Sequence, residues 1–193
     1  IEAGPIACLQ VELPPLEPNR IESIRRCGGF APQVYRLYIP GAAVAYHGMD
    51  DMGGTVRPPT ADDLPRLRWL AYGSSITFGG NTYHTYVNAA AQMLEASVCN
   101  LGMGGSCFIE KQIADFIAAR DDWDFASFEL GINMVNPSRD NLRFEQKVNY
   151  LLDTVTAHPL ALKGPAPAVL FLNFGERALA FEIRVFVRSS ANL

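Results

Sequence analysis

The chain has no run of basic residues, no Cys-x-x-Cys pair and only three histidines. It also has no apolar stretch near the ~20 residues a helix needs to span a bilayer. Each shortage excludes something. Sixteen Lys and Arg stand against 20 Asp and Glu, a net charge of −4, so nucleic acid is excluded as a partner. The run Ala166–Leu172 is too short for a membrane span and reads as a buried strand, so no membrane partner is expected. The four cysteines, Cys8, Cys27, Cys99 and Cys107, lack the spacing of a zinc site and read as small apolar residues in a reducing compartment. No metal and no cofactor are expected. No signal peptide heads the chain, which favours the cytoplasm, but the first residue is Ile1 rather than Met, so a trimmed N-terminus or a fragment is expected.

What is present is apolar material in quantity. Hydrophobic residues make up 49% and charged residues 19% of 193, enough for one domain of ordinary size with a small appendage. Residues 1–60 alternate apolar and polar at Leu9–Leu13 and Val34–Ile39, between gaps rich in Pro, Gly and Asn, the period-2 pattern of short antiparallel strands. Thr55–Pro65, with Pro58 and Pro59 in series, has linker composition.

From Leu67 the pattern becomes strand, loop, helix, repeated. Strands are expected at 67–72, 97–101 and 125–130, and helices at 82–96, 108–119 and 141–157, the last with Asp140 as N-cap. Val169–Phe174 is expected to be a fourth parallel strand, followed by a short helix running into an edge strand. The fold class is therefore α/β, a flavodoxin-like parallel sheet with helices on both faces over residues 67–193, preceded by a β-rich, sandwich-like segment. In such sheets the ligand crevice lies beyond the carboxyl ends of the strands. Three unusual loops fall there, at Ser75, Gly105 and Asn133.

Ser75 follows Gly73 and Ser74 where an apolar strand stops dead, a turn that lifts a hydroxyl to the end of a sheet. Activated by a base, such a hydroxyl attacks an acyl carbon, and the oxyanion formed needs fixed donors. The N–H groups of Ser75 and Gly105 and the amide of Asn133 are candidates for them. Taken singly, Ser75 also suits a turn, Gly102, Gly104 and Gly105 any tight loop, and Asn133 a cap. Together, each after a strand, they point to an acyl-transfer half-site.

These residues carry a resemblance. Trp69–Pro137 resembles the SGNH hydrolases, the GDSL esterase and lipase superfamily, in three blocks: Gly73-Ser74-Ser75-Ile76-Thr77, Asn100–Ser106 and Gly131-Ile132-Asn133-Met134. The first block has the form of a carbohydrate-esterase-like branch, whose members often carry a small β-sandwich before the hydrolase domain. The resemblance implies Ser75 as nucleophile, Gly105 and Asn133 as oxyanion-hole donors, and hydrolysis of O-acyl esters, acetyl esters among them, of a small molecule or carbohydrate. Two departures stand out. Met134 replaces the third block's aspartate, and the family's closing Asp-x-x-His is missing. His47 belongs to the N-terminal segment, His84 to the helix after the serine, and His158 to a helix end before Pro159, where it suits the dipole. The expectation is an esterase whose C-terminus from about residue 159 is truncated or altered, leaving this chain without a general base. Two other readings stand beside it: a non-catalytic binding or structural domain of the same fold, and a nucleotide or flavin binder using Ser74, Ser75 and Thr77 on a phosphate.

Overall fold

Leu67–Gly73 forms strand β1: its last five residues are all buried, and Trp69 to Tyr72 alternate between two apolar clusters. The computed structural model describes residues 10, 17–19, 28–37, 45–80, 82, 84–134, 141–159, 168–174 and 179–186. After β1 come a one-turn helix α1 (Ser75–Phe78), α2 (Tyr86–Met93), β2 (Ala96–Gly102), α3 (Lys111–Ala118), β3 (Phe125–Glu129), α4 (Asn141–Thr156), β4 (Ala168–Phe174) and β5 (Leu179–Phe186). The strands form one sheet in the order β2-β1-β3-β5-β4.

Strands β1, β2 and β3 are parallel, with Gly73 opposite both Gly102 and Glu129. Successive side chains of β1 point to opposite faces. Trp69 and Ala71 pack with Val87 and Ala91 of α2 and with Ala96, while Leu70 and Tyr72 pack with Ile117 of α3, Phe128 of β3, and Leu151 and Val155 of α4. Helices thus cover both faces of a small parallel three-stranded sheet, and the α/β class holds. The start of β1 is stapled to the residue that precedes β3: Asp124 accepts from the backbone N–H of Arg68 at 2.7 Å and from its guanidinium Nη2 at 2.8 Å. Trp69 lies flat against Phe125, ring centroids 5.7 Å apart, and its indole N–H donates to Ser127 Oγ at 2.9 Å.

Several expectations shift. α2 begins only at Tyr86, because Thr85 is extended and its hydroxyl accepts from the Asn88 N–H. Its buried face is Val87 and Ala91, while Leu94 is half exposed. α3 begins at Lys111 rather than 108, since Cys107 and Ile109 adopt positive φ and cannot sit in a right-handed helix. The fourth strand runs in the same direction as β1–β3 but is not their neighbour: β5 is antiparallel to both β3 and β4 and lies between them. β5 is therefore an interior strand, and β4 holds the edge. No strand occurs among the described residues of the segment 1–60, where 34–37 is irregular. Most of Leu9–Leu13, the end of Val34–Ile39, and the Asp140 cap lie outside the described residues. No helix among the described residues is long and apolar enough to cross a membrane.

Candidate functional site

Because β1, β2 and β3 are parallel, the turns after them emerge at one edge of the sheet. The first turn holds Ser74 and Ser75. Ser74 caps α1, its Oγ accepting from the Ile76 N–H at 3.2 Å, and Gly79 ends the helix in the left-handed region, φ 75°. Ser75, the first helical residue, is exposed; its neighbour Ser74 is buried. Among the described residues the only bond at Ser75 is a backbone one, from the Gly79 N–H to its carbonyl at 2.9 Å.

The chemistry of this edge is concentrated one residue away. Glu129, the last residue of β3, reaches under the turn. Its Oε2 accepts from the Ser74 N–H at 2.8 Å, from the Ser74 hydroxyl at 2.5 Å and from the Thr77 hydroxyl at 3.3 Å. Thr77 Oγ1 also meets the Tyr86 hydroxyl at 2.9 Å. Gly73 makes room for this cluster: a Cβ there would lie 2.2 Å from Thr77 Oγ1 and 2.9 Å from Glu129 Oε2. Neither the bond from Ser74 to Glu129 nor any role for Glu129 is evident from the sequence alone. The available signal was an acid closing an otherwise apolar strand, in register with the glycine that precedes the serines. The Glu129→Ala variant should lose about 1–3 kcal/mol in urea unfolding, since the buried Ser74 N–H and hydroxyl lose their acceptor. Glu129→Gln, which keeps an acceptor oxygen, should lose less.

The second loop follows β2. Asn100 donates its amide to the Thr77 carbonyl at 2.9 Å and accepts from the Gly102 N–H at 2.8 Å, tying β2 to α1. The Met103 N–H bonds the Gly73 carbonyl at 2.9 Å. Gly105 is exposed, with φ 67° and open space where a Cβ would stand, so glycine is favoured there by conformation and not by crowding. Cys107 follows with φ 70° and Ile109 with φ 53°, an uncommon sequence of left-handed residues in one loop. The Cys107 thiol is buried beside the Glu129 carbonyl and the Tyr72 hydroxyl, and burial pushes its pKa up to about 11, so it stays a thiol at neutral pH. Burial likewise raises the pKa of the Tyr72 phenol, whose hydroxyl lies 3.5 Å from Glu110.

The third loop is the 3-10 turn Ile132–Met134. Asn133 is half buried and donates its side-chain amide to the Ser106 carbonyl. Ser75, Gly105 and Asn133 thus lie on three loops at one edge, but two of those loops are bonded to each other through the very amide that was expected to serve an oxyanion. Of the histidines, His47 and His84 are exposed, and His158 lies against Trp123, ring centroids 6.2 Å apart, at the end of α4. Among the described residues no group of three or more His, Cys, Asp and Glu is placed to hold a metal.

Comparison with known proteins gives a similarity at the C-terminal end of the chain. Residues 134–193 match the family described as mechanosensitive ion channel MscS, C-terminal. The match covers less than a third of the chain and takes in α4, β4 and β5. No curated protein and no solved structure matches the chain. This similarity corrects the functional expectation. A segment like the C-terminal part of a channel contradicts the SGNH hydrolase resemblance, the serine esterase with its nucleophile and oxyanion hole, the acetyl or carbohydrate ester as substrate, and the exclusion of a membrane partner. The Asn133 amide donates one hydrogen bond to the Ser106 carbonyl and so ties the second loop to the third. The chain is similar, over 134–193, to the C-terminal part of a mechanosensitive channel.

Proposed function

We propose that this chain is a non-catalytic α/β module of a channel-related protein, packing and binding outside the bilayer rather than turning over a substrate. The observation that carries it is the similarity of residues 134–193 to a mechanosensitive-channel C-terminal domain. The way that segment is built in supports the reading. β5 pairs with β3, and α4 buries Leu151 and Val155 in the core that β1 and β3 share, so the channel-like part and the preceding strands form one sheet. Force or displacement at one part of such a sheet is passed to the rest, because packed interiors are close-packed and barely compressible. The three edge loops are likewise cross-braced by Glu129, Asn100 and Asn133.

In this reading Ser75, Gly105 and Asn133 are binding groups, not catalytic ones. The exposed Ser75 hydroxyl and the open space above Gly105 favour contact with a polar partner. The order β2-β1-β3 supports a flavodoxin-like arrangement of residues 67–157, and the start of β1 at Leu67 supports a domain boundary between residues 60 and 67.

Two measurements on the full-length protein test the proposal. Expressed in cells, it should fractionate with membranes, and cells lacking it should survive a hypo-osmotic downshock less well. Purified, it should hydrolyse p-nitrophenyl acetate no faster than its Ser75→Ala variant. Recovery wholly in the soluble fraction with unchanged survival sinks the channel-related part; Ser75-dependent ester turnover sinks the non-catalytic part.

A further inference from the structure

We infer that Asp63 is the latch of a strap, residues 28–37, which lies over the α2 side of the sheet and is released without unfolding the α/β core. Asp63 closes the 3-10 turn Ala61–Asp63 and is only 5% exposed. Its Oδ2 accepts from Arg57 Nη1 at 2.7 Å, from the Thr60 N–H at 2.8 Å and from the Thr60 hydroxyl at 2.8 Å. Its Oδ1 accepts from Gln33 Nε2 at 2.9 Å, and its backbone carbonyl from the Ala31 N–H at 2.9 Å. One residue therefore gathers the linker on one carboxyl oxygen and the strap on the other.

The strap has a second seat. Gly28 and Gly29, φ 99° and 73°, turn against the end of α2, where a Cβ on Gly29 would come within 2.9 Å of Glu95 Cβ and one on Gly28 within 3.6 Å of Gln92 Cγ. Between the seats Phe30 lies under the Arg36 guanidinium, 4.2 Å from the ring centroid. Phe30 and Arg36 face Asn88, Ala91 and Gln92 of α2 across a cleft of about 10 Å³, room for one water at most, so the strap is seated on the helix.

It is nonetheless separable. Among the described residues its backbone joins no β-ladder, and its one backbone bond to the rest is the one to Asp63. The sheet has two apolar clusters of its own, and the two buried residues of the strap, Gly28 and Pro32, belong to neither. Segments with few buried apolar contacts and few backbone bonds open at lower free energy than the core they cover.

Hydrogen exchange of the full chain, read by mass spectrometry, tests this. In Asp63→Ala, exchange over 28–37 should speed at least about tenfold, as expected from losing charge-assisted hydrogen bonds, while 67–73 keeps its wild-type rate. Gln33→Ala, which leaves Arg57 and Thr60 on Asp63, should speed the strap alone by a smaller factor, and decides the matter if Asp63→Ala fails to fold. Unchanged exchange over 28–37 in both variants, or equal acceleration over 67–73, overturns the inference.

Discussion

Gly102→Ala should destabilise the chain out of proportion to the single methyl it adds. A Cβ at Gly102 would lie 2.1 Å from the amide nitrogen of Phe78, 2.5 Å from its Cα and 2.6 Å from the carbonyl carbon of Thr77. All three atoms belong to the backbone of α1, which cannot rotate aside as a side chain would. α1 is itself pinned from both sides, by the Asn100 amide on the Thr77 carbonyl and by Glu129 on Ser74 and Thr77. Overpacking of this kind costs typically about 1–3 kcal/mol and sometimes more, out of a total of roughly 5–15 kcal/mol. Gly105→Ala makes the contrast. It meets open space, and its cost comes only from φ 67°, about 1–2 kcal/mol for an L-residue held in the left-handed region. Thermal unfolding of both variants should rank Gly102→Ala as the more harmful. The reverse order would mean that α1 shifts freely and that the edge is not braced as described.

Phe128→Ala should cost more still. Phe128 is 1% exposed and belongs to the larger core cluster, with Tyr72 of β1, Ile117 of α3 and Leu151 and Val155 of α4. Removing a buried aromatic ring loses its transfer free energy and leaves a cavity, together about 3–5 kcal/mol. In a chain of this size that corresponds to a melting temperature lower by roughly 6–20 °C. The effect bears on the proposed function, because Phe128 opposes Ile183 of β5 in register and so lies where the channel-like segment joins the earlier strands. If that segment were merely appended, chemical unfolding of Phe128→Ala would split into two transitions. A single cooperative transition at lower urea is expected.

Sequence and tertiary structure contribute unequally here. The alternation of apolar runs with amphipathic stretches marked β1, β2, β3, α3 and α4 within a few residues, because side-chain periodicity is local and each element shows its buried face in its own sequence. The Gly-Ser-Ser turn and the loops at Gly105 and Asn133 were equally legible, since glycine and serine after an apolar run have few other uses. Their placement at one edge followed from parallel strand order alone.

The rest was decided by contacts between residues far apart in the chain. That Glu129 braces Ser74 across 55 positions, and that the Asn133 amide bonds the Ser106 carbonyl, depend on register between strands and loops, which composition does not encode. The insertion of β5 between β3 and β4 is of the same kind. A strand's apolar pattern says that it is buried, not which neighbour it pairs with or in which direction, and here the antiparallel partner displaced the parallel one.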